Sequence, residues 1–218
     1  MVRSVRFQQN GISLISLMIG LLVSLLAVMG MMALYRTVMH TTTESAAYAR
    51  LSGDRSAALL AAHSYLQEAG FGVEDAALGT DLGLCTPAES AGVLRGGSCA
   101  AGGRGNLLLW RVTDGAMRCA GLHVTSDGGL VYLQPQTCTG LSAAGWPSSQ
   151  RQALFTPGST AGGFVALELT EEPCQALGVA GEGAVRARLE SAHPVAADPG
   201  AGNASVPIYS TTCLLNFQ

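Results

Sequence analysis

Hydrophobic positions fall into three patterns along the 218 residues, and each predicts a different structure. Residues 12–34, ISLISLMIGLLVSLLAVMGMMAL, are almost all apolar, and no ionisable side chain occurs between Phe7 and Tyr35. About 20 such residues span a bilayer, so this run predicts a membrane-crossing helix. Further on, apolar residues thin to one face, with Leu51, Ala58, Leu59, Ala62, Leu66 and Ala69 spaced for one side of a helix. No Pro precedes Pro87, and the only glycines inside the stretch are Gly20, Gly30 and Gly53. The two patterns therefore predict one helix of about 58 residues, about 87 Å long at 1.5 Å per residue, capped by Gly70. Thr41, Thr42, Thr43 and Gly53 are weak helix formers, so a bend or fraying is expected there.

From residue 73 the pattern changes to short runs rich in Val, Leu, Tyr and Thr, punctuated by Gly and Pro. Strands are predicted over 107–113, 122–125, 129–134, 163–169, 185–190 and 208–215. Val185, Ala187 and Leu189 alternate with Arg186, Arg188 and Glu190, the pattern of a strand with one wet face. Ser126, Asp127, Gly128 and Gly129 predict a hairpin turn. A long helix followed by antiparallel strands is an α+β arrangement, with the apolar helix face laid on a sheet. The organisation expected is a leader (1–11), the transmembrane half of the helix (12–34), its continuation (35–70) and a β-rich head (71–218).

Composition changes this picture in one respect. The chain has 12 Arg and no Lys against 15 acids, a net charge of −3, and charged residues make up 12%. That is about half the roughly 25% of a soluble domain. The membrane segment does not explain the deficit: residues 36–218 hold 25 charges and 25 glycines in 183 positions, still charge-poor and with about twice the usual Gly share. A charged coiled coil is excluded, as is a disordered polyelectrolyte. Twelve scattered Arg form no basic patch, so nucleic acid is not an expected partner.

Within the apolar run, Ser13, Ser16, Gly20, Ser24 and Ala27 are spaced 3, 4, 4 and 3 residues apart. They fall within roughly 80° of one another on a helix, a stripe of small residues that lets another helix approach in a membrane. Arg3 and Arg6 precede the run, so the N-terminus is expected on the cytoplasmic side. A removable secretory signal has a shorter apolar core and a small-x-small exit site. Here the run continues into LYRTVMH without one.

All six cysteines, Cys85, Cys99, Cys119, Cys138, Cys174 and Cys213, lie beyond the apolar run, and none forms a C-x-x-C pair. An even count in an exported domain favours disulfides. Six cysteines allow 15 connectivities. Sequential pairing is the expectation, with one or two pairs of buried free thiols as the alternative.

The junction MVRSVRFQQNG, followed at once by ISLISLMIG, resembles the class III leader of type IV pilins and type II secretion pseudopilins. The resemblance implies cleavage by a prepilin peptidase after Gly11, on the cytoplasmic side, and methylation of the new N-terminus at Ile12. Ile12 stands where the family commonly has Phe. Ser16 stands where it usually has Glu, a residue thought to pair with a neighbouring subunit's N-terminal amine during assembly. Subunits of this kind that lack the Glu are placed at filament tips, so tip placement is expected. The segment YARLSGDRSAALLAAHSYLQEAGFG is similar to the corresponding helix of PilW-type minor pilins, through Arg50, Leu51, Gly53, Arg55, Ala58, Leu59, Leu66, Ala69, Gly70, Phe71 and Gly72. The runs NLLLWRVTDG, AVRARLESAHP and VPIYSTTCLLNFQ look alike as well. Residues 73–105 and 135–159 carry no resemblance.

The resemblance implies a pilin-like fold, a place in the inner membrane with the head in the periplasm, and later incorporation into a pilus. The partners it implies are the other minor pilins, the major pilin and prepilin peptidase. A type II secretion pseudopilin has the same architecture and remains open. So does a signal-anchored periplasmic binding or adhesion domain.

Catalytic motifs are not found. Gly96-Gly97-Ser98-Cys99-Ala100 is one residue from a nucleophile elbow, but it reads as a glycine-rich loop rather than a strand end. Gly102-Gly103-Arg104-Gly105 lacks the Lys and Ser/Thr of a phosphate-binding loop. His40, His63, His123 and His193 show no metal spacing, and Glu171-Glu172 reads as a solvated turn before Pro173. Asn203-Ala204-Ser205 is a sequon of no expected consequence in a bacterial pilin-like protein. The expectation is a non-enzyme without cofactor or metal; an anchored hydrolase is the remote rival.

Overall fold

The computed structural model describes residues 13–157, 162–175, 182–194 and 205–217. Helix α1, Leu14–Gln67, has 54 residues and is unbroken at the threonines and at Gly53. Each threonine hydroxyl bonds back onto a carbonyl of the preceding turn: Thr41 to Thr37 at 3.1 Å, Thr42 to Val38 at 2.8 Å and Thr43 to Met39 at 2.9 Å. The hydroxyls thus supplement the helix instead of competing with it. The helix ends through 3-10 bonds, Glu68 N to Tyr65 O and Ala69 N to Leu66 O, and Gly70 follows at φ +76°. A Cβ at Gly70 would also sit 2.8 Å from the Phe217 ring, so glycine is needed for both conformation and space.

The chain divides into two compact units, Met1–Arg50 and Leu51–Gln218. The second begins inside the helix and carries eleven strands: β1 (Leu82–Ser90), β2 (Val93–Ala100), β3 (Gly103–Gly105), β4 (Leu107–Thr113), β5 (Met117–Val124), β6 (Leu130–Thr137), β7 (Gly145–Pro147), β8 (Arg151–Phe155), β9 (Phe164–Gln175), β10 (Glu182–Pro194) and β11 (Ser205–Leu214). They form two antiparallel sheets, ordered β7-β2-β1-β4-β5-β6-β8 and β11-β10-β9-β3. The fold is α+β with a helix packed on sheets.

The inner face of α1 meets both sheets. Ala58, Ala62 and Leu66 of the helix, with Ala69 after it, share a core with Leu82, Leu108, Trp110 and Leu122 of the larger sheet. The same core takes in Leu167, Leu169, Ala187, Leu189 and Leu214 of the smaller one. Small residues at 58 and 62 bring the helix close, and Tyr65 stacks on Tyr132 with ring centroids 3.7 Å apart. Burying a side chain such as Leu66 stabilises by about 1.5–3 kcal/mol. A second core lies on the opposite face of the larger sheet, around Leu94, Leu107, Leu109, Leu133, Leu141 and Trp146.

Strand β4 coincides with its predicted bounds, and β5, β6, β9, β10 and β11 are longer than predicted. Strands β1, β2, β3, β7 and β8 were not predicted. In β2 the glycines that suggest a loop serve packing. A Cβ at Gly96 would lie 2.7 Å from Leu109 Cδ1, and one at Gly97 would lie 2.5 Å from Thr86 Oγ1. The near-elbow Gly96–Ala100 is therefore part of a strand and not a loop. Glu171 and Glu172 are likewise in β9, exposed, rather than in a turn.

Candidate functional site: an exposed apolar helix and a disulfide-tied head

Every described residue of α1 up to Arg50 is exposed. Leu14, Met18, Leu22, Leu25, Met29 and Leu34 each leave more than half of their surface open. This is the one helix among the described residues long and apolar enough to cross a membrane, with mean hydropathy 2.5 over its most apolar stretch. A contiguous apolar surface of this kind is not left in water by a soluble monomer. Its backbone polar groups are paired within the helix, as a hydrocarbon environment demands, and the Ser24 hydroxyl bonds to Leu21 O at 2.9 Å.

Gly11 and Ile12 lie outside the described residues. Ser13 immediately precedes α1 and accepts from Leu17 N at 3.3 Å through its carbonyl. Ser16, Gly20, Ser24 and Ala27 are exposed on the helix, and a Cβ added at Gly20 would meet nothing within 4 Å. The first carboxylate along the helix is Glu44, which faces His40 at 3.4 Å.

The six cysteines form three disulfides: Cys85–Cys99, Cys119–Cys138 and Cys174–Cys213. Cys85 and Cys99 are direct partners across β1 and β2. Cys119 ties β5 to the segment after β6, inside the second core. Cys174 and Cys213 join β9 to β11, the two strands that flank β10. Gly183 of β10 lies against this last bridge, where a Cβ would come within 3.0 Å of Cys213 Sγ and 2.6 Å of Leu214 O. In the chain-entropy account each bridge stabilises by about 3–4 kcal/mol.

The burial of several polar residues in the head is not plainly marked in the sequence. Arg55 sits on the apolar helix face, only 5% exposed, and donates through Nη2 to Gly162 O at 3.2 Å. Its Nε has no partner among the described residues, and burial pulls its pKa down. Asp81 is as deeply buried as Arg55 and receives Arg111 Nη1 at 2.7 Å and Ala77 N at 3.0 Å, fixing the loop that leads into β1. A hint of Arg55 was available: its register with Ala58, Ala62 and Leu66. Nothing local marks Asp81, because Arg111 is 30 residues away.

Titration follows local causes. Burial lowers the pKa of His123, helped by the positive charge of Arg151 and opposed by Glu89. The Thr125 hydroxyl, which donates to Asp127, holds that carboxyl below its usual range. Burial raises Tyr132 above the ordinary phenol. His63 contacts Thr212 Oγ1 at 2.8 Å, and since Thr212 is 1% exposed this pair ties helix to sheet rather than facing a substrate. The outer face of the smaller sheet carries the ion pairs Arg186–Glu172, Arg188–Glu168 and Arg104–Glu190, with Arg188 also 3.6 Å over the Tyr209 ring. Exposed pairs like these contribute at most about 1 kcal/mol each. No group of three or more metal-ligating side chains occurs among the described residues.

Comparison with protein-family models, curated proteins and solved structures finds no match to this chain.

Proposed function

We propose that the chain is a minor pilin of the PilW type, processed after Gly11 and methylated at Ile12. In this reading it is held in the inner membrane by residues 12–34, with its head in the periplasm. The head joins other minor pilins in priming a type IV pilus. The observation that carries the reading is the pairing of two features: an apolar helix exposed along its whole first half, and a disulfide-tied α+β head that begins within the same helix. The basic leader ending in Gly11 supports it.

The mechanism is burial. A helix that is apolar all round leaves the bilayer only when other helices cover it, and the small-residue stripe around Gly20 permits close approach. Ser16 removes the cost of a carboxylate in hydrocarbon, a few kcal/mol on insertion scales. It also removes the ion pair that a subunit above would use, which suits a subunit near the filament tip. With Arg3 and Arg6 gone, ten Arg stand against 15 acids in the processed chain.

Mass spectrometry of the membrane-extracted protein tests the reading. In cells with active prepilin peptidase, the mass should correspond to a chain beginning at methylated Ile12. Gly11→Arg should block processing and piliation together. An intact leader on the unaltered chain would sink the proposal and leave a plain signal-anchored domain.

A further inference from the structure

The larger sheet curls so that the chain brings its two edge strands, β7 and β8, close together without pairing them. Strand β7 pairs with β2 at one end and β8 pairs with β6 at the other, yet only residues 148–150 separate β7 from β8. The sheet therefore approaches a closed barrel around the second core. Arg151 fastens the closure: Nε donates to Trp146 O at 2.9 Å, Nη2 to Gly92 O at 3.1 Å and Nη1 to Glu89 Oε1 at 2.9 Å.

At one mouth of this barrel lies a cavity of about 450 Å³, within the range of small-molecule sites, for which barrel mouths are a recurrent location. Leu94 and Val131 give it an apolar floor, and Glu89, Asn106 and His123 bring polar groups to it. We propose that this mouth binds a neutral, hydroxyl-rich ligand of the sugar class. The proposal goes beyond the assembly reading and does not depend on it.

Charge decides against the other ligand classes. The Arg151 guanidinium already donates to Trp146 O, Gly92 O and Glu89 Oε1, and its pairing with Glu89 leaves no net positive charge in the mouth to hold an anion. A cation fares no better, because the Glu89 carboxylate is already neutralised by Arg151. Besides the remaining Arg151 N–H groups, the mouth offers the second Glu89 oxygen, the Asn106 carboxamide and the His123 ring, none of which has a hydrogen-bond partner among the described residues. A neutral imidazole offers one donor and one acceptor, the carboxamide offers both, and the carboxylate oxygen accepts. Vicinal hydroxyls, each donor and acceptor at once, match this set. The C–H face of a sugar ring suits Leu94 and Val131.

The test uses the full chain, disulfides intact, in a detergent without a sugar headgroup. Glucose, galactose and N-acetylglucosamine are titrated as neutral probes, and acetate and inorganic phosphate as anionic ones, while histidine ring resonances are followed by NMR. At least one sugar should shift the His123 signal saturably and leave His63 unmoved. Asn106→Ala should weaken that binding about two- to tenfold, the loss of one hydrogen bond, with an unchanged unfolding midpoint because Asn106 is exposed. The proposal is overturned if no sugar moves His123, if acetate or phosphate does so instead, or if Asn106→Ala binds as well as the unaltered chain.

Discussion

The first half of α1 and its last five turns are the same secondary structure with opposite surroundings. Every described residue of the helix up to Arg50 is exposed, and from Leu14 to Leu34 its leucines, isoleucines, valines and methionines surround the axis apart from the stripe of small residues. From Leu51 the buried apolar residues of the helix are Ala58, Ala62 and Leu66, all on one face. A helix apolar all round asks for a medium, whereas a helix apolar on one stripe asks for a partner surface. The cysteines follow the same boundary. None lies in the segment suited to lipid, and three bridges lie in the glycine-rich head, where charge is scarce.

The largest effect that separates the two halves comes from charge. Leu22→Arg with Leu25→Arg adds about 5–7 kcal/mol to the insertion free energy, taking about 2.5–3.5 for each Arg at a helix centre. Membrane fractionation should move the protein out of the bilayer fraction. The head should keep its three disulfides, as read by non-reducing mass mapping. Retention of the double variant in the membrane would break the contrast, because the first half would then not depend on lipid.

A smaller effect sharpens the contrast by making one substitution in both halves. Leu66→Ala removes a fully buried side chain between the helix and the sheets and should cost the head about 2–5 kcal/mol. Leu22→Ala, on a residue 62% exposed, should leave head unfolding in urea where it was. Equal shifts from the two would mean that the halves unfold as one cooperative body.

The same contrast explains what could be read from the chain. The helix was legible because its signal is local: 3.6-residue periodicity, no Pro, and a glycine at its end. Strand β4 was legible because LLLWRVT packs on both faces and reads as a continuous apolar run. Strands β1 and β2 were not, because the glycines of GGSCA resemble turn glycines until Leu109 and Thr86 are seen filling the space they leave. The burial of Arg55 was not legible, since a charged side chain beside an apolar face ordinarily reaches water, yet here it is buried against Gly162. The barrel closure depends on Arg151 meeting Glu89 across 62 residues, a relation no spacing rule contains.

The smallest expected effect lies in that closure and concerns pH. His123 is half-buried on β5, and the charged groups facing it are Arg151 on β8 and Glu89 on β1. Burial comes first and the Arg151 charge second in lowering its pKa, while Glu89 pulls the other way. The folded chain thus binds this proton more weakly than the unfolded chain, whose imidazole titrates near the ordinary 6.5. Where the unfolded state holds more protons, stability rises with pH. The contribution is complete above about pH 6.5 and is lost as pH falls toward and through the folded value. Urea midpoints between neutral and mildly acidic pH should therefore decline for the unaltered chain, and His123→Gln, which cannot titrate, should flatten that part of the curve. The comparison between the two curves removes the background from carboxylates that titrate lower. If both chains lose stability in parallel, the closure carries no buried imidazole and the pH dependence belongs elsewhere in the head.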